Sequence, residues 1–162
     1  MKIAEGAPLV ALPSSAHLLR PLLDLAERTP GFPIAAVRDG SRFVDVSAGE
    51  FVARVRRLAA GLVAAGVEPG DRVALMSHTR LEWMLVDYAT LLAGAVTVPI
   101  YDTSSAEQVQ WIVSDSGAVL LVVETPPMRE MAEQMADRMP ACRRIVTIDE
   151  RGLDDLATEG DA

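Results

Sequence analysis

Apolar and polar positions change their spacing several times along this chain. Short apolar runs without alternation predict strands buried on both faces. Longer segments with apolar residues every three or four positions predict helices. The predicted strands are 72–76, 95–100, 119–124 and 144–148, with a helix in each interval. Because strands and helices alternate through short loops, the pattern predicts an α/β fold with a mostly parallel sheet flanked by helices.

The segment before these strands shows two further patterns. Ser14 or Ser15 is suited to cap a helix that runs to about Arg28 and carries leucines on one face. Two β-branched runs then surround Asp39-Gly40, a dipeptide that adopts the positive φ angles of a tight hairpin turn. The sequence therefore predicts an N-terminal β-hairpin as an antiparallel addition to the α/β fold.

Several helix starts are predicted by capping boxes, in which two side chains satisfy free backbone donors of the first turn. The boxes pair Ser47 with Glu50, Thr79 with Glu82, and Ser104 with Glu107. A further helix opens at Thr125-Pro126 and extends to about Arg138, with methionines at helical spacing. We interpret these methionines as core residues; the alternative is a face that contacts residues absent from this chain.

Composition divides the chain into three predicted parts. Residues 1–14 form an irregular arm, residues 15–148 an α/β subdomain, and residues 149–162 an acidic tail. The tail holds six acids and one arginine, and so carries −5 of the net charge of −8. We interpret it as a solvated linker, with a specific acidic docking site as the alternative. No basic face tracks phosphates, so nucleic acid is not an expected partner.

Length and apolar content predict one domain or an incomplete one. The chain has 162 residues, half of them apolar. The longest apolar stretch, residues 84–100, is interrupted by Asp87 and Pro99, so no transmembrane segment is predicted. The N-terminus lacks the pattern of a signal peptide, and the single Cys142 forms no internal disulfide. We therefore expect a cytoplasmic protein, with peripheral contact to a membrane left open.

The sequence contains few candidates for chemistry. The glycine fingerprints for dinucleotides and for phosphate loops are absent, and so is the G-x-S-x-G elbow. His17 and His78 lie far apart without a Cys/His cluster, so neither a metal site nor a catalytic residue is predicted. His78 follows a predicted strand at its carboxyl end, where ligands tend to bind. It is either a ligand contact or a loop histidine beside a helix start.

Residues 66–124 carry a set of motifs that together are specific. They are G-V-x-x-G-D-R-V-A at 66–74, E-W at 82–83, A-G-A at 93–95, P-I-Y at 99–101 and D-S-G-A at 115–118. This set strongly resembles the N-terminal region of adenylate-forming, AMP-binding acyl-CoA synthetases. The form Y-D-T-S-S at 101–105 looks most like bacterial long-chain fatty acid–CoA ligases. The similarity extends from about residue 15 to about residue 150.

The resemblance implies a ligase with two half-reactions. A fatty acid and ATP with Mg²⁺ would give an acyl-adenylate and pyrophosphate, and CoA would then displace AMP. The chain would be an incomplete part of the large N-terminal domain, because the family's Pro-Lys-Gly phosphate loop and its C-terminal catalytic lysine have no match here. Lys2 is the only lysine. We expect the isolated fragment to be an inactive scaffold that needs no cofactor and self-associates through uncovered edges.

The resemblance also supplies the candidate binding residues. In relatives, the turn that corresponds to Tyr101, Asp102 and Thr103 lies near the channel used by the CoA nucleotide. Tyr101 would stack on adenine and Thr103 would donate to a phosphate. The alternative is structural, with Tyr101 packed on a neighbouring helix and Asp102 fixing a turn. The alternatives for the whole protein are another adenylate-forming enzyme, such as an acyl-AMP ligase, and a non-catalytic α/β interaction module.

Overall fold

The computed structural model describes residues 17–161. Along this range the elements are α1 (Arg20–Arg28), β1 (Pro33–Asp39), β2 (Arg42–Ser47), α2 (Ala48–Ala64), β3 (Arg72–Met76), α3 (Leu81–Leu92), β4 (Val96–Ile100), α4 (Ala106–Ser116), β5 (Leu120–Val123), α5 (Pro126–Glu133), β6 (Arg144–Thr147) and α6 (Gly152–Glu159). The predicted arm and the Ser14 or Ser15 cap lie outside the described residues.

The strands form two sheets. β1 and β2 pair antiparallel around Asp39 and Gly40, with Gly40 at φ +61°, so the predicted hairpin is confirmed. The other four strands form a parallel sheet in the order β4-β3-β5-β6. Helices α3, α4 and α5 form the crossover connections that parallel strands require. The predicted α/β class is confirmed.

Helices cover both faces of the parallel sheet. Along β3, Val73 and Leu75 face one apolar cluster, and Ala74 and Met76 face the other. Successive side chains of a strand point to opposite faces of the sheet. Because both faces of β3 are covered, its sequence shows no alternation of apolar and polar residues. Helices α2, α3 and α6 contribute to the first cluster, and α4 and α5 to the second. The fold is therefore a three-layer α/β/α arrangement with a hairpin beside it.

Only one of the predicted capping boxes forms as expected. The side chains of Ser47 and Glu50 satisfy each other's backbone N–H at the start of α2. α4 uses Ser105 with Gln108, one residue later than predicted. α3 begins after Arg80 without a side-chain cap, because Glu82 accepts a hydrogen bond from the Arg80 guanidinium instead. The predictions of capping boxes at Thr79 and at Ser104 were therefore wrong.

The prediction of a solvated linker at 149–162 is also wrong for most of that segment. Residues Gly152–Glu159 form α6, which buries Leu153, Leu156 and Ala157 against the first cluster. Their i, i+3, i+4 spacing places them on one face of the helix, with the acids on the other. α6 packs closely on α2, where Gly61 lies against the carbonyl of Leu156. The prediction relied on the high content of acidic residues and overlooked the narrow apolar face of this helix.

The methionines after Thr125 are core residues. α5 ends at Glu133, and a 3₁₀ turn, Ala136–Arg138, replaces the predicted last helical turn. Met139 is fully buried, and Met128, Met131 and Met135 pack against the second cluster. Within residues 17–161, no helix is long and apolar enough to pass through a bilayer.

Candidate functional site at the carboxyl edge of the sheet

Charged side chains meet where the four parallel strands end. Because parallel strands all end on the same edge, the loops that follow them lie side by side. These loops bring together His78 and Arg80 after β3, Asp102 after β4, Glu124 after β5 and Asp149 after β6. We call these five residues the carboxyl-edge network. They join four loops that are separated in sequence by up to 71 residues, from His78 to Asp149.

Glu124 is the centre of the carboxyl-edge network. Its Oε2 accepts hydrogen bonds from the His78 backbone N–H at 2.7 Å and from Ser77 Oγ at 3.0 Å, and lies 3.0 Å from His78 Nδ1. Its Oε1 accepts from Arg80 at 3.2 Å. Burial by itself raises the pKa of Glu124, but these hydrogen bonds outweigh burial and lower the pKa to about 2. Glu124 is therefore a carboxylate at neutral pH.

Arg80 extends the carboxyl-edge network towards β6. Its Nη1 donates to Asp149 Oδ1 at 2.7 Å, and its Nε donates to Glu82 Oε2 at 2.8 Å. Burial disfavours the charged guanidinium, but the bonds to Glu82 and Asp149 prevail and raise the pKa of Arg80 above its usual value. Three carboxylates surround this one cation, so Arg80 has no charge left over for an anionic ligand.

His78 links the carboxyl-edge network to the candidate binding turn. Its Nε2 lies 2.9 Å from Asp102 Oδ2 in an ion-pair contact, while Nδ1 faces Glu124. Asp102 occupies the middle of the turn, which a hydrogen bond from the Ser104 N–H to the Tyr101 carbonyl closes at 3.0 Å. His78 thus contacts Asp102, one of the three candidate binding residues. The structure joins His78 and the 101–103 turn in one site, whereas the sequence presented them separately.

The two outer residues of the turn project into solvent. The Tyr101 side chain is 84% exposed, so the expected alternative of a ring packed on a helix does not hold. Thr103 is exposed as well. Tyr101 borders a groove of about 570 Å³ whose other wall includes Trp111 and Arg138. Both exposed side chains can contact a ligand, whereas the Asp102 carboxylate already contacts the His78 ring.

Sequence reasoning found part of this site. It named Tyr101, Asp102, Thr103 and His78, and missed Arg80, Glu124 and Asp149 as their partners. One signal was available, because Glu124 directly follows β5 and Asp149 lies two residues beyond the end of β6. No group of three or more histidine, cysteine or acidic side chains among residues 17–161 is arranged to hold a metal ion. The arrangement offers two exposed side chains, Tyr101 and Thr103, beside a network of paired charges.

Comparison with known proteins defines the class. A profile of the family described as "AMP-binding enzyme" matches residues 24–161, which is most of the chain. The chain therefore belongs to the AMP-binding enzymes. This membership confirms the resemblance drawn from the motifs at 66–124, and it does not favour a non-catalytic interaction module.

The similar proteins include long-chain-fatty-acid–CoA ligases. The chain is 45% identical over 121 residues to the long-chain-fatty-acid–CoA ligase FadD15 of Mycobacterium bovis, covering 73% of this chain and 20% of that protein. The solved N-terminal domain of FACL13 from Mycobacterium tuberculosis has a TM-score of 0.72 at 28% identity, covering 85% of this chain and 34% of that one. A long-chain-fatty-acid–CoA ligase from Archaeoglobus fulgidus reaches 0.79 at 22% identity, over 98% and 33%. The chain thus spans about a fifth of the length of FadD15.

Proposed function

We propose that this chain is the N-terminal scaffold of an ATP-dependent long-chain fatty acid–CoA ligase, an acid–thiol ligase. The observation that carries the proposal is the 45% identity to FadD15 over 121 residues of this chain. In this proposal the whole enzyme uses a fatty acid, ATP with Mg²⁺ and CoA. It works in the cytoplasm or at the surface of a membrane.

A chimeric ligase tests the scaffold proposal. Residues 24–161 replace the matching segment of FadD15, and the parent FadD15 is the control. We expect the chimera to form long-chain acyl-CoA, because the scaffold is held in common while the remaining segments supply the chemistry. A chimera that unfolds cooperatively and binds ATP, but forms neither acyl-adenylate nor thioester, would contradict the proposal.

We further propose that the 101–103 turn contacts the nucleotide part of CoA. Tyr101 offers an exposed aromatic face for adenine, and Thr103 offers an exposed hydroxyl for a phosphate. In the chimera, Tyr101→Ala then raises KM for CoA about tenfold and leaves KM for ATP unchanged, because one stacking contact is worth about 1–2 kcal/mol. Trp111→Ala, across the groove, is the matched control. A KM for CoA that Tyr101→Ala leaves unchanged favours a purely structural turn or an acyl-AMP ligase.

The 162-residue chain by itself is proposed to be inactive and to need no cofactor. Its only lysine is Lys2, and the guanidinium of Arg80 in the carboxyl-edge network is already bound to three carboxylates rather than placed for a transferring phosphoryl group. Incubated with palmitate, ATP, Mg²⁺ and CoA, the chain should release no pyrophosphate above background. Release at the rate of the parent ligase would refute this part.

Self-association of the isolated chain is part of the same proposal. Within the described residues β4 is an edge strand with Val96 exposed, and the hairpin exposes Phe43 and Val44. Open edges and apolar patches of this kind favour pairing between chains. Light scattering at high micromolar concentration should give a mass above 17.4 kDa. A strictly monomeric mass would count against it.

A further inference from the structure

His78 occupies a position that neither the motifs nor the proposed reaction requires. Its ring lies between the turn after β4 and the first residue after β5, with one nitrogen towards each. The distances are 2.9 Å to Asp102 and 3.0 Å to Glu124. Within residues 17–161, this contact is the only ion pair that Asp102 forms. The turn therefore has a single charged attachment to the sheet.

The protonation state of the ring decides whether both contacts persist. A protonated imidazole has an N–H on each nitrogen and a positive charge, which suits a carboxylate on either side. A neutral imidazole has one N–H, so a lone pair must face one of the two carboxylates. Glu124 is the better held of the two, because Ser77, Arg80 and the His78 backbone also bind it. A neutral ring that keeps its N–H on the Glu124 side presents a lone pair to Asp102 and loses that contact.

The surroundings of His78 add no competing titration near neutral pH. The charged groups that face it are Asp102 from the β4 loop and Glu124 from β5, and Arg80 binds the far oxygen of Glu124. Arg80 in turn binds Glu82 and Asp149. Carboxylates and guanidinium groups ordinarily titrate well outside the range of histidine. Of these groups the imidazole is the type that changes charge near neutrality, so variants of His78 test whether its charge controls the turn.

We propose that His78 is a positioning residue whose protonated ring holds the 101–103 turn against the carboxyl ends of β3 and β5, and whose deprotonation releases the turn. Tyr101 and Thr103 flank Asp102 directly, so a fixed Asp102 also fixes the directions of these two exposed side chains. The proposal rests on the proposed function only for the identity of what the turn binds. For CoA, it makes the affinity of the turn depend on pH.

Nuclear magnetic resonance on the 162-residue chain tests the attachment without any ligand. The ring signals of both histidines and the backbone amides of 101–104 are followed between about pH 5 and pH 8.5. We expect the turn amides to shift with the midpoint of the His78 ring, and to lose this shift in His78→Gln and in Asp102→Asn. His17→Gln is the matched control and leaves it intact. Turn amides that stay constant, or that still titrate in His78→Gln, overturn the proposal.

The variant His78→Arg tests whether a permanent positive charge preserves the attachment of the turn. His78→Arg keeps a positive charge beside Asp102 and Glu124 at every pH in this range, so the turn amides should stay at their low-pH positions throughout. Shifts that match those of His78→Gln instead would contradict a charge-based attachment. The measured quantity is the chemical shift of the turn amides. It does not depend on how much stability a variant loses, as long as unchanged shifts of the sheet amides show that the variant is folded.

The chimeric ligase then separates this proposal from the proposed function. His78→Gln should raise KM for CoA about fivefold at low pH and have less effect at high pH, with KM for ATP unchanged. If the amides titrate as expected but neither His78→Gln nor Tyr101→Ala alters KM for CoA, the attachment stands and the CoA assignment fails. If Tyr101→Ala raises KM and His78→Gln does not, the CoA assignment stands and the positioning role fails.

Discussion

The two ends of the parallel sheet use their charged side chains differently. At the amino end, Arg72 donates to the main-chain carbonyls of Ser116 at 2.6 Å and Gly117 at 3.0 Å, and Arg143 donates to the carbonyl of Gly66 at 3.0 Å. These carbonyls lie at the end of α4 or just beyond it, and just beyond the end of α2. At the carboxyl end, the acceptors are side-chain carboxylates, and the cations lie between loops rather than on helix ends.

The difference separates scaffold from site. Carbonyls at the end of any helix need donors, so Arg72 and Arg143 complete the main chain at the amino end, where Arg144 also binds the Glu159 carboxylate of α6. The carboxyl-edge network instead holds loops in place and leaves Tyr101 and Thr103 exposed above it. We conclude that substitutions at the scaffold cost stability, and that those at the exposed turn alter binding with little change in stability. The following predictions test this division.

The largest expected loss comes from the contact between α2 and α6, remote from the exposed turn. A Cβ added at Gly61 would overlap the carbonyl of Leu156, which belongs to the backbone and cannot move without displacing α6. Gly61→Ala should lower the free energy of unfolding by about 3 kcal/mol, measured by urea denaturation. Gly31→Ala has open space around it and should change the value by less than about 0.5 kcal/mol. Equal stabilities would mean that the acidic tail is a linker after all.

A second scaffold prediction concerns the amino end. Arg72→Met removes the donors to Ser116 and Gly117 while keeping much of the side-chain volume, and leaves partly buried carbonyls unsatisfied. The free energy of unfolding should fall by about 2–3 kcal/mol. Arg56→Met, on the exposed face of α2, is the control and should have almost no effect. A loss no larger than that of the control would remove the distinction between the two ends.

The scaffold was largely predictable from local patterns. Strands such as β3 and β5 are buried on both faces, so each leaves a continuous apolar run that no exposed segment would show. The hairpin was predictable from Asp39-Gly40, because that dipeptide determines the turn by its own conformational preference. These features need no knowledge of what lies across the sheet.

The site and α6 were not predictable in the same way. His78 and Glu124 are 46 residues apart, and their contact depends on β3 and β5 being neighbours in the sheet. Strand order is not recorded in any local pattern. α6 depends on the close approach that Gly61 allows, again across a large separation in sequence. Both features were missed because they are decided by tertiary contacts.

The carboxyl-edge network should show its contribution in acid. The pKa of Glu124 is lowered from 4.5 to about 2, so its contribution is complete above the unfolded value and is lost as the pH falls through about 2. Glu124→Gln should therefore cost about 1–2 kcal/mol at pH 7, with the difference from the parent shrinking below about pH 4.5. Glu133→Gln breaks an exposed pair with Arg129 and is the control. Identical pH profiles for the two variants would contradict a stabilising role for the network.

The smallest effect on stability is expected at the exposed turn. Tyr101 is 84% exposed and packs on no helix, so Tyr101→Ala should change the free energy of unfolding by less than about 0.5 kcal/mol. Tyr88→Ala is the matched control, because the Tyr88 ring meets Phe51 edge-on at 5.5 Å within the core and its loss should cost at least about 2 kcal/mol. A large loss at Tyr101 would place the turn with the scaffold. A negligible loss of stability at Tyr101, together with a raised KM for CoA in the chimera, would assign Tyr101 to binding and Tyr88 to the stability of the core.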